Sequence, residues 1–585
     1  MPEASFAVKA TSEPLFQEFS PVTSAQWDAV ITKDLKGADY EKKLVWKVPS
    51  GMAVRPYYRR EDIAGFDWLK AAPGAFPYVR GAKAEPGWTI RESIDFTDPI
   101  PANKAALAAV AAGAEEIAFG RVAIGSVNDI GLLLNGLDKV PVHLICPGDK
   151  LMRRLLQYLS KNPRKVKLTS TLDPLLDLDL SEETAKANHP NFFPFMIDAA
   201  RIEESGPTTA EQVGFALAAG IDYLDAMARR GIEPERAASL VEFGFTVASN
   251  FFFEISKLRA FRMVWARAAE SFGIPAGKCR AAIATRTSRW NKTIYDPHVN
   301  VLRATTEAMA AIIGGASSIC IYPFNACYQR PDEDSRRLAR NTQIMLKNEA
   351  MLGRVADPGG GSYALESITE FQACQGWKIM QEIEARGGYR KAADWIAERT
   401  AKSMSDREER IASRKRVFVG TNMYANAQER ALGRIEPARV VNPRRGTIAY
   451  EALRLRTERH GQAPHILLAE MGDPKMRAAR AAFCTNFFAC AGFDIVSKRF
   501  NSIIDILAEK ADVIVLCSSD PEYASLAAEL IPALRDIGLS TPVVVAGSPE
   551  NAEELKTLGV TDFIHVRSNP LEVLADWQQW LGVRR

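Results

Sequence analysis

The stretch Asp473-Pro474-Lys475-Met476-Arg477-Ala478 follows the apolar run His465–Met471 and sets an acid and a base two positions apart in a loop. A base so placed could do chemistry only through a lone pair. An ammonium of ordinary pKa near 10.4 has no lone pair at neutral pH, however, and freeing one costs roughly 4–5 kcal/mol. Lys475 is therefore not expected to bind a metal, and Asp473 and Lys475 read as a solvated loop pair. Two further loops of the same kind carry Ser518-Ser519-Asp520 and Ala546-Gly547, while Arg201 and Ala284-Thr285-Arg286-Thr287 bring polar groups to candidate strands farther upstream. The eight cysteines are scattered, with no CxxC pair and no histidine at zinc-ligand spacing, so they read as reduced core thiols and no metal site is expected.

The elements that must position these residues are clearest in the last 120 residues. Five apolar runs, His465–Met471, Phe493–Val496, Asp512–Cys517, Pro542–Ala546 and Asp562–Val566, alternate with helical patterns such as Lys475–Ala491, closed by Gly492, and Glu522–Ile537, closed by Gly538. Regular alternation with short connections predicts a doubly wound parallel sheet of flavodoxin-like size, which places ligands at the carboxyl ends of its strands. The loops after Met471, Cys517 and Ala546 are thus the candidate site.

A similar alternation runs from about residue 51 to 400, with candidate strands at Thr89–Ile94, Glu116–Phe119, Val140–Cys146, Phe195–Ile202, Val241–Val247, Arg280–Thr285 and Ser318–Pro323. One helix is marked by a capping box at Thr208-x-x-Glu211, by a stripe of Val213, Leu217, Ile221 and Leu224, and by Gly231 at its end. Seven or eight such units suggest a (β/α)₈ barrel with insertions, the alternative being a second doubly wound sheet, which periodicity alone does not exclude. We divide the chain into an arm over 1–50, a barrel over 51–400, an ordered linker over 401–460 and the flavodoxin-like domain over 461–585. The arm has few periodic apolar positions but carries Phe16, Phe19, Trp27 and Trp46, aromatics that need a surface to cover.

Lys and Arg number 74 against 71 Asp and Glu, with no long run of one sign, so nucleic acid is not expected as a partner. No segment reaches the roughly 20 apolar residues that span a bilayer. The N-terminus resembles neither a secretory signal nor a transit peptide, and a cytoplasmic location is expected.

Several segments resemble the adenosylcobalamin-dependent methylmalonyl-CoA mutase family, in the family's order. They are Gly51–Tyr58 with Glu61-Asp62, Pro77-Tyr78-Val79-Arg80-Gly81 with Trp88-Thr89-Ile90-Arg91, Phe251–Arg262 with Trp265-Ala266-Arg267, Asp357–Tyr363, and Val419-Gly420-Thr421-Asn422. Colinearity from about residue 12 to 580 is more specific than any one of them. The resemblance implies a barrel followed by a cobalamin-binding domain. In catalytic chains an adenosyl radical starts the interconversion of succinyl-CoA and methylmalonyl-CoA, chemistry that belongs to the cofactor.

This chain departs from the catalytic pattern at each landmark. Where the family has Asp-x-His-x-x-Gly, Lys475 replaces the cobalt-binding histidine and Ala478 the glycine. Asp520 stands for the leucine of Ser-x-Leu after Ser518, and Ala546-Gly547 for a double glycine. The family's Thr-Met-Tyr segment is matched by the shorter Ala82-Lys83-Ala84-Glu85-Pro86-Gly87. Its substrate histidine falls on Arg201, by the match of Glu204-Ser205-Gly206, and its His-Thr-Gln-Thr becomes Ala284-Thr285-Arg286-Thr287. If Arg201 faces the barrel interior, alternation puts Phe195 and Ile197 there too, filling the lumen.

The resemblance thus implies a noncatalytic small chain, without cobalamin, paired one-to-one with a catalytic large chain that holds the adenosylcobalamin. The four arm aromatics are the interface candidates. Two other readings remain: an active mutase holding cobalamin without a protein histidine, and a free-standing binding or regulatory protein on the same fold.

Overall fold

A computed structural model describes residues 18–120, 122–145, 148–203, 205–436 and 444–583. Phe16, Cys146, Glu204, Pro437 and Asn442-Pro443 lie outside them. The chain separates into two compact units, Met1–Arg59 and Arg60–Arg585.

The first unit has almost no core of its own. Thr23 caps the helix Ser24–Asp34 in a reciprocal box with Gln26, yet none of that helix is buried. The strands β1 (Trp46–Lys47) and β2 (Ala53–Val54) pair antiparallel. Trp27 stacks on Tyr57 at 5.4 Å, and the Tyr57 hydroxyl donates to Asp28, which pushes its pKa up to about 12. Phe19, Trp27, Val30 and Trp46 are all exposed.

The second unit contains a closed barrel of eight parallel strands, β3 (Thr89–Ile94), β4 (Glu116–Phe119), β5 (Val142–Leu144), β6 (Leu168–Leu172), β7 (Phe192–Asp198), β8 (Val241–Val247), β9 (Ile283–Thr287) and β10 (Ser318–Cys320). The predicted capping box is present at Thr208 and Glu211, and the helix it starts runs Thr209–Arg229. β6 was not among the candidate strands, because Leu168-Thr-Ser-Thr-Leu172 is only five residues long and its middle is hydroxylic.

The expected strand Phe195–Ile202 is corrected. β7 stops at Asp198 and the chain turns at once into the short helix Ala199–Glu203, so Arg201 lies on a helix, outside the strand's alternation. The inward assignment of Phe195 and Ile197 is corrected with it. Phe195 packs its ring against Tyr223 of the helix Thr209–Arg229, which puts Phe195 and, two positions on, Ile197 on the outer face. Met196 and Asp198 point inward instead, where they crowd the α-carbon of Gly244 so closely that a Cβ there would lie 2.9 Å from both side chains.

The linker is more helical than expected. The helix Ala393–Ala412 carries the barrel's last segment well past residue 401, and Ile448–His460 leads into the second sheet. Between them Arg445 and Thr447 bond to Glu451, while Glu458 accepts from the Tyr295 hydroxyl and from the backbone of Ala431 and Leu432. The last domain is a parallel sheet in the order β12-β11-β13-β14-β15, built from β11 (His465–Glu470), β12 (Asp494–Arg499), β13 (Val513–Cys517), β14 (Val543–Val545) and β15 (Asp562–Phe563). Gly492 and Gly538 end their helices in the left-handed region, as predicted. No helix among the described residues is long and apolar enough to cross a membrane.

Candidate functional site

Two places in the fold are where ligands would bind: the barrel interior with its carboxyl-terminal mouth, and the crevice between β11 and β13, where the strand order of the second sheet reverses.

The barrel interior is crossed by charge. Arg91 on β3 reaches Glu116 on β4 at 2.9 Å and Glu242 on β8 at 3.5 Å. Lys167, just before β6, closes on the other oxygen of Glu242 at 2.7 Å, and the Ser318 hydroxyl on β10 donates to Glu116. Beside them the His143 ring contacts the Thr169 hydroxyl at 2.6 Å, and burial followed by the Arg91 charge pushes its pKa well below the ordinary value, which leaves it neutral. Arg91, Glu116 and Glu242 are all buried, so the network bridges the lumen from one wall to the other. Ala284, the expected counterpart of a substrate-contacting histidine, is a small buried residue between Gly244 and Ser318.

The electrostatics of this network make a testable statement. Burial raises the Glu116 carboxyl, but Arg91 outweighs it and holds the pKa at about 2, below the roughly 4.3 of an unfolded chain. Its contribution to stability is full above the unfolded value and is lost as pH falls through about 2. Thermal unfolding followed from pH 6 to pH 2.5 should show a shallower decline for Glu116→Gln than for the unaltered chain. Equal slopes would mean that Glu116 is not held by Arg91.

At the carboxyl-terminal mouth, Asp198 is shared by two arginines. Arg286 approaches it at 3.3 Å and Arg201 at 3.4 Å. The structure thus brings these two sequence candidates together, Arg286 half-buried and Arg201 exposed. At the opposite end Ala82–Gly87, the counterpart of the Thr-Met-Tyr segment, lines a surface cleft of about 530 Å³ with Lys347 and Arg354.

In the second sheet, Asp473 does not stand ready for a ligand. Its side chain caps the helix Pro474–Phe488 by accepting from the Met476 amide. Lys475 and Ala478 are exposed on the first turns of that helix. Glu522 folds back across the crevice and takes the Ser518 hydroxyl at 2.6 Å, the Ser519 hydroxyl and amide, and the Asp473 amide from the other loop. The serine hydroxyls hold its carboxyl down at about 2. Tyr523 is buried beside it, bonded to Ser518 and to the Ala546 carbonyl. Asp520 pairs with Arg480 at 2.9 Å, and a Cβ on Gly547 would sit 3.1 Å from the same carboxylate. The sequence reading named Asp473, Lys475, Ala478, Ser518, Asp520 and Gly547 but missed Glu522 and Tyr523, although Ser519-x-x-Glu522 is itself a capping-box signature. Of the histidines in this domain, His465 begins β11 at the far end of the strand, and the His565 ring beyond β15 accepts from the Arg567 amide.

Comparison with known proteins supplies the family. The methylmalonyl-CoA mutase family model matches residues 47–132 and 155–489, well over half of the chain. The chain belongs to the methylmalonyl-CoA mutase family. Within it, the chain is similar to the methylmalonyl-CoA mutase small subunit of Porphyromonas gingivalis, with 35% identity covering 98% of this chain and 99% of that one. The small subunit of Streptomyces virginiae is 30% identical over 97% and 98%. The mitochondrial methylmalonyl-CoA mutase of Bos taurus is 29% identical over 70% of this chain and 61% of its own. The family is one of isomerases, and the closed barrel followed by a parallel five-stranded sheet agrees with the architecture its resemblance implied.

Proposed function

We propose that this chain is the noncatalytic small subunit of a heterodimeric methylmalonyl-CoA mutase, supporting a large subunit that carries the adenosylcobalamin and the active site. The observation that carries this reading is the ion bridge from Arg91 to Glu116 and Glu242, which crosses the lumen that a thioester substrate would have to thread. The crevice of the second sheet supports it. Cobalamin bound in the family's manner needs an imidazole below the cobalt and room for its nucleotide tail. Here the ligand position is the exposed ammonium of Lys475, Glu522 ties the loops after β11 and β13 together across the crevice, and Tyr523 ties those after β13 and β14. The residues present do not fit the cofactor.

The runner-up, an active mutase whose cobalamin lacks a protein ligand, needs both an open lumen and a neutral polar group beside the substrate. Arg201 and Arg286 at the mouth are cations tied to Asp198. The relatives in Porphyromonas gingivalis and Streptomyces virginiae are both small subunits, which favours the subunit reading over a free-standing protein.

Titration of the purified chain with adenosylcobalamin is expected to leave the visible spectrum of the cofactor unchanged. Lys475→His alone should not restore binding, because the loops stay tied across the crevice. A stoichiometric spectral shift at micromolar concentration, with mutase turnover by the chain alone, would overturn the proposal.

A further inference from the structure

The carboxyl-terminal rim of the barrel carries more arginines than the two that bear on the subunit reading. Over the arc from β7 through β8, β9 and β10 to β3 stand Arg201, Arg416, Arg286, Arg289 and Arg330. Arg416 donates to Ser249 just beyond β8 and lies 4.7 Å over the ring of Trp290, with Arg407 over the same ring at 5.3 Å. Arg289, exposed beyond β9, lies 4.0 Å over the Tyr322 ring beyond β10. Arg330 lies 4.5 Å over Phe96 beyond β3 and donates to the Asp95 carbonyl.

The acids on this arc are fewer. Asp198 is already divided between Arg201 and Arg286, and Glu203 accepts from Ser288. Asp95 is the third. The Arg289 side chain has no ion pair or hydrogen bond among the described residues, its ring contact with Tyr322 aside. Burial, then the neighbouring Arg407, pushes the Arg416 pKa down to about 10, with Glu203 acting against them.

A guanidinium whose face rests on an aromatic ring is held in orientation while the N–H groups of its edge that carry no bond stay free, all of them at Arg289 and those besides the one given to Asp95 at Arg330. That edge is the fork that meets two oxygens of a phosphate. The strands β9 and β3 flank β10, two strand spacings or about 9–10 Å apart, a gap that two long side chains span around a diphosphate. We propose that the rim over β9, β10 and β3 binds the phosphate groups of a small molecule, gripped by Arg289 and Arg330 with Arg286 behind them. The site lies above the ion bridge, at the barrel end where ligands of this fold usually sit. It neither needs nor supplies catalysis, so it stands whether or not the chain proves to be a subunit.

The test uses the full chain and inorganic pyrophosphate, titrated calorimetrically in 0.15 M potassium chloride, with malonate as a control for charge without phosphate geometry. One site is expected for pyrophosphate, weakened about tenfold by Arg289→Ala and about tenfold by Arg330→Ala, each tenfold being 1.4 kcal/mol. Arg153→Ala, a surface arginine paired with Glu183, should leave it unchanged. Melting curves establish that each variant is folded, as expected for exposed side chains. The proposal falls if pyrophosphate gives no heat up to 10 mM, if malonate binds as well, or if Arg289→Ala and Arg330→Ala bind like the unaltered chain. It falls also if Lys83→Ala with Arg354→Ala abolishes binding, which would move the site to the opposite end of the barrel.

Discussion

Replacing Arg91 with methionine is expected to lower the stability of the chain by about 3–5 kcal/mol, the cost of breaking a buried ion pair from one side. The substitution keeps much of the side-chain length, so the loss is chiefly one of charge. Glu116 and Glu242 would be left buried with Lys167 as their remaining cation, and Lys167 contacts only Glu242. Chemical denaturation should show the drop, and it should shrink in the triple variant Arg91→Met, Glu116→Gln, Glu242→Gln, where no carboxylate is orphaned. A single variant as stable as the unaltered chain would mean that water reaches these carboxylates and that the lumen is open.

Deleting residues 1–45 should produce the second large effect, on assembly rather than on folding. In the first unit Val48 is the one buried hydrophobic among the described residues, whereas Phe19, Trp27, Val30 and Trp46 are exposed. A segment that orders a capped helix and a strand pair around so little core is suited to lie on another surface, and obligate interfaces bury roughly 2,000–5,000 Å². Co-expressed with its large partner, the truncated chain should co-purify poorly and lower mutase activity, while its own melting temperature stays near that of the full chain. One-to-one co-purification with full activity would show that the arm is not the clasp. A full-length chain that stays monomeric beside its large partner would defeat the heterodimer reading itself.

Much of this architecture was legible in the sequence. The capping box at Thr208, the closing glycines 492 and 538 and the β-branched runs of the last domain each act locally, so spacing alone reveals them. Alternation failed at β7 because a strand's parity is fixed by what packs outside it. Phe195 faces outward to meet Tyr223, a partner 28 positions away on a helix, and no local pattern reports that. The inward charges were equally hidden. Arg91, Glu116, Lys167 and Glu242 come from four separate strands or their edges, and only barrel closure brings them together. In the second domain the loop residues were found by their position in a motif. Glu522 was missed since its decisive bond, to the Asp473 amide, spans two loops.

The bridge inside the barrel also bears on how the chain reaches its native state. Arg91 and Glu242 are separated by 151 positions, Ser318 and Glu116 by 202, so none of these bonds forms until most of the eight units are in place. Contacts this remote in sequence slow the search, because a long loop must close before any bond rewards it. Charges also gain little from one another while water still surrounds them. Arg91 can meet Glu116, 25 positions away, early, but its link to Glu242 should be among the last features to form, and a half-closed barrel would present the two ends of that link along an open seam. In such a molecule the final seal is electrostatic, and the time spent before it sets the window in which a nascent chain is vulnerable to mispairing.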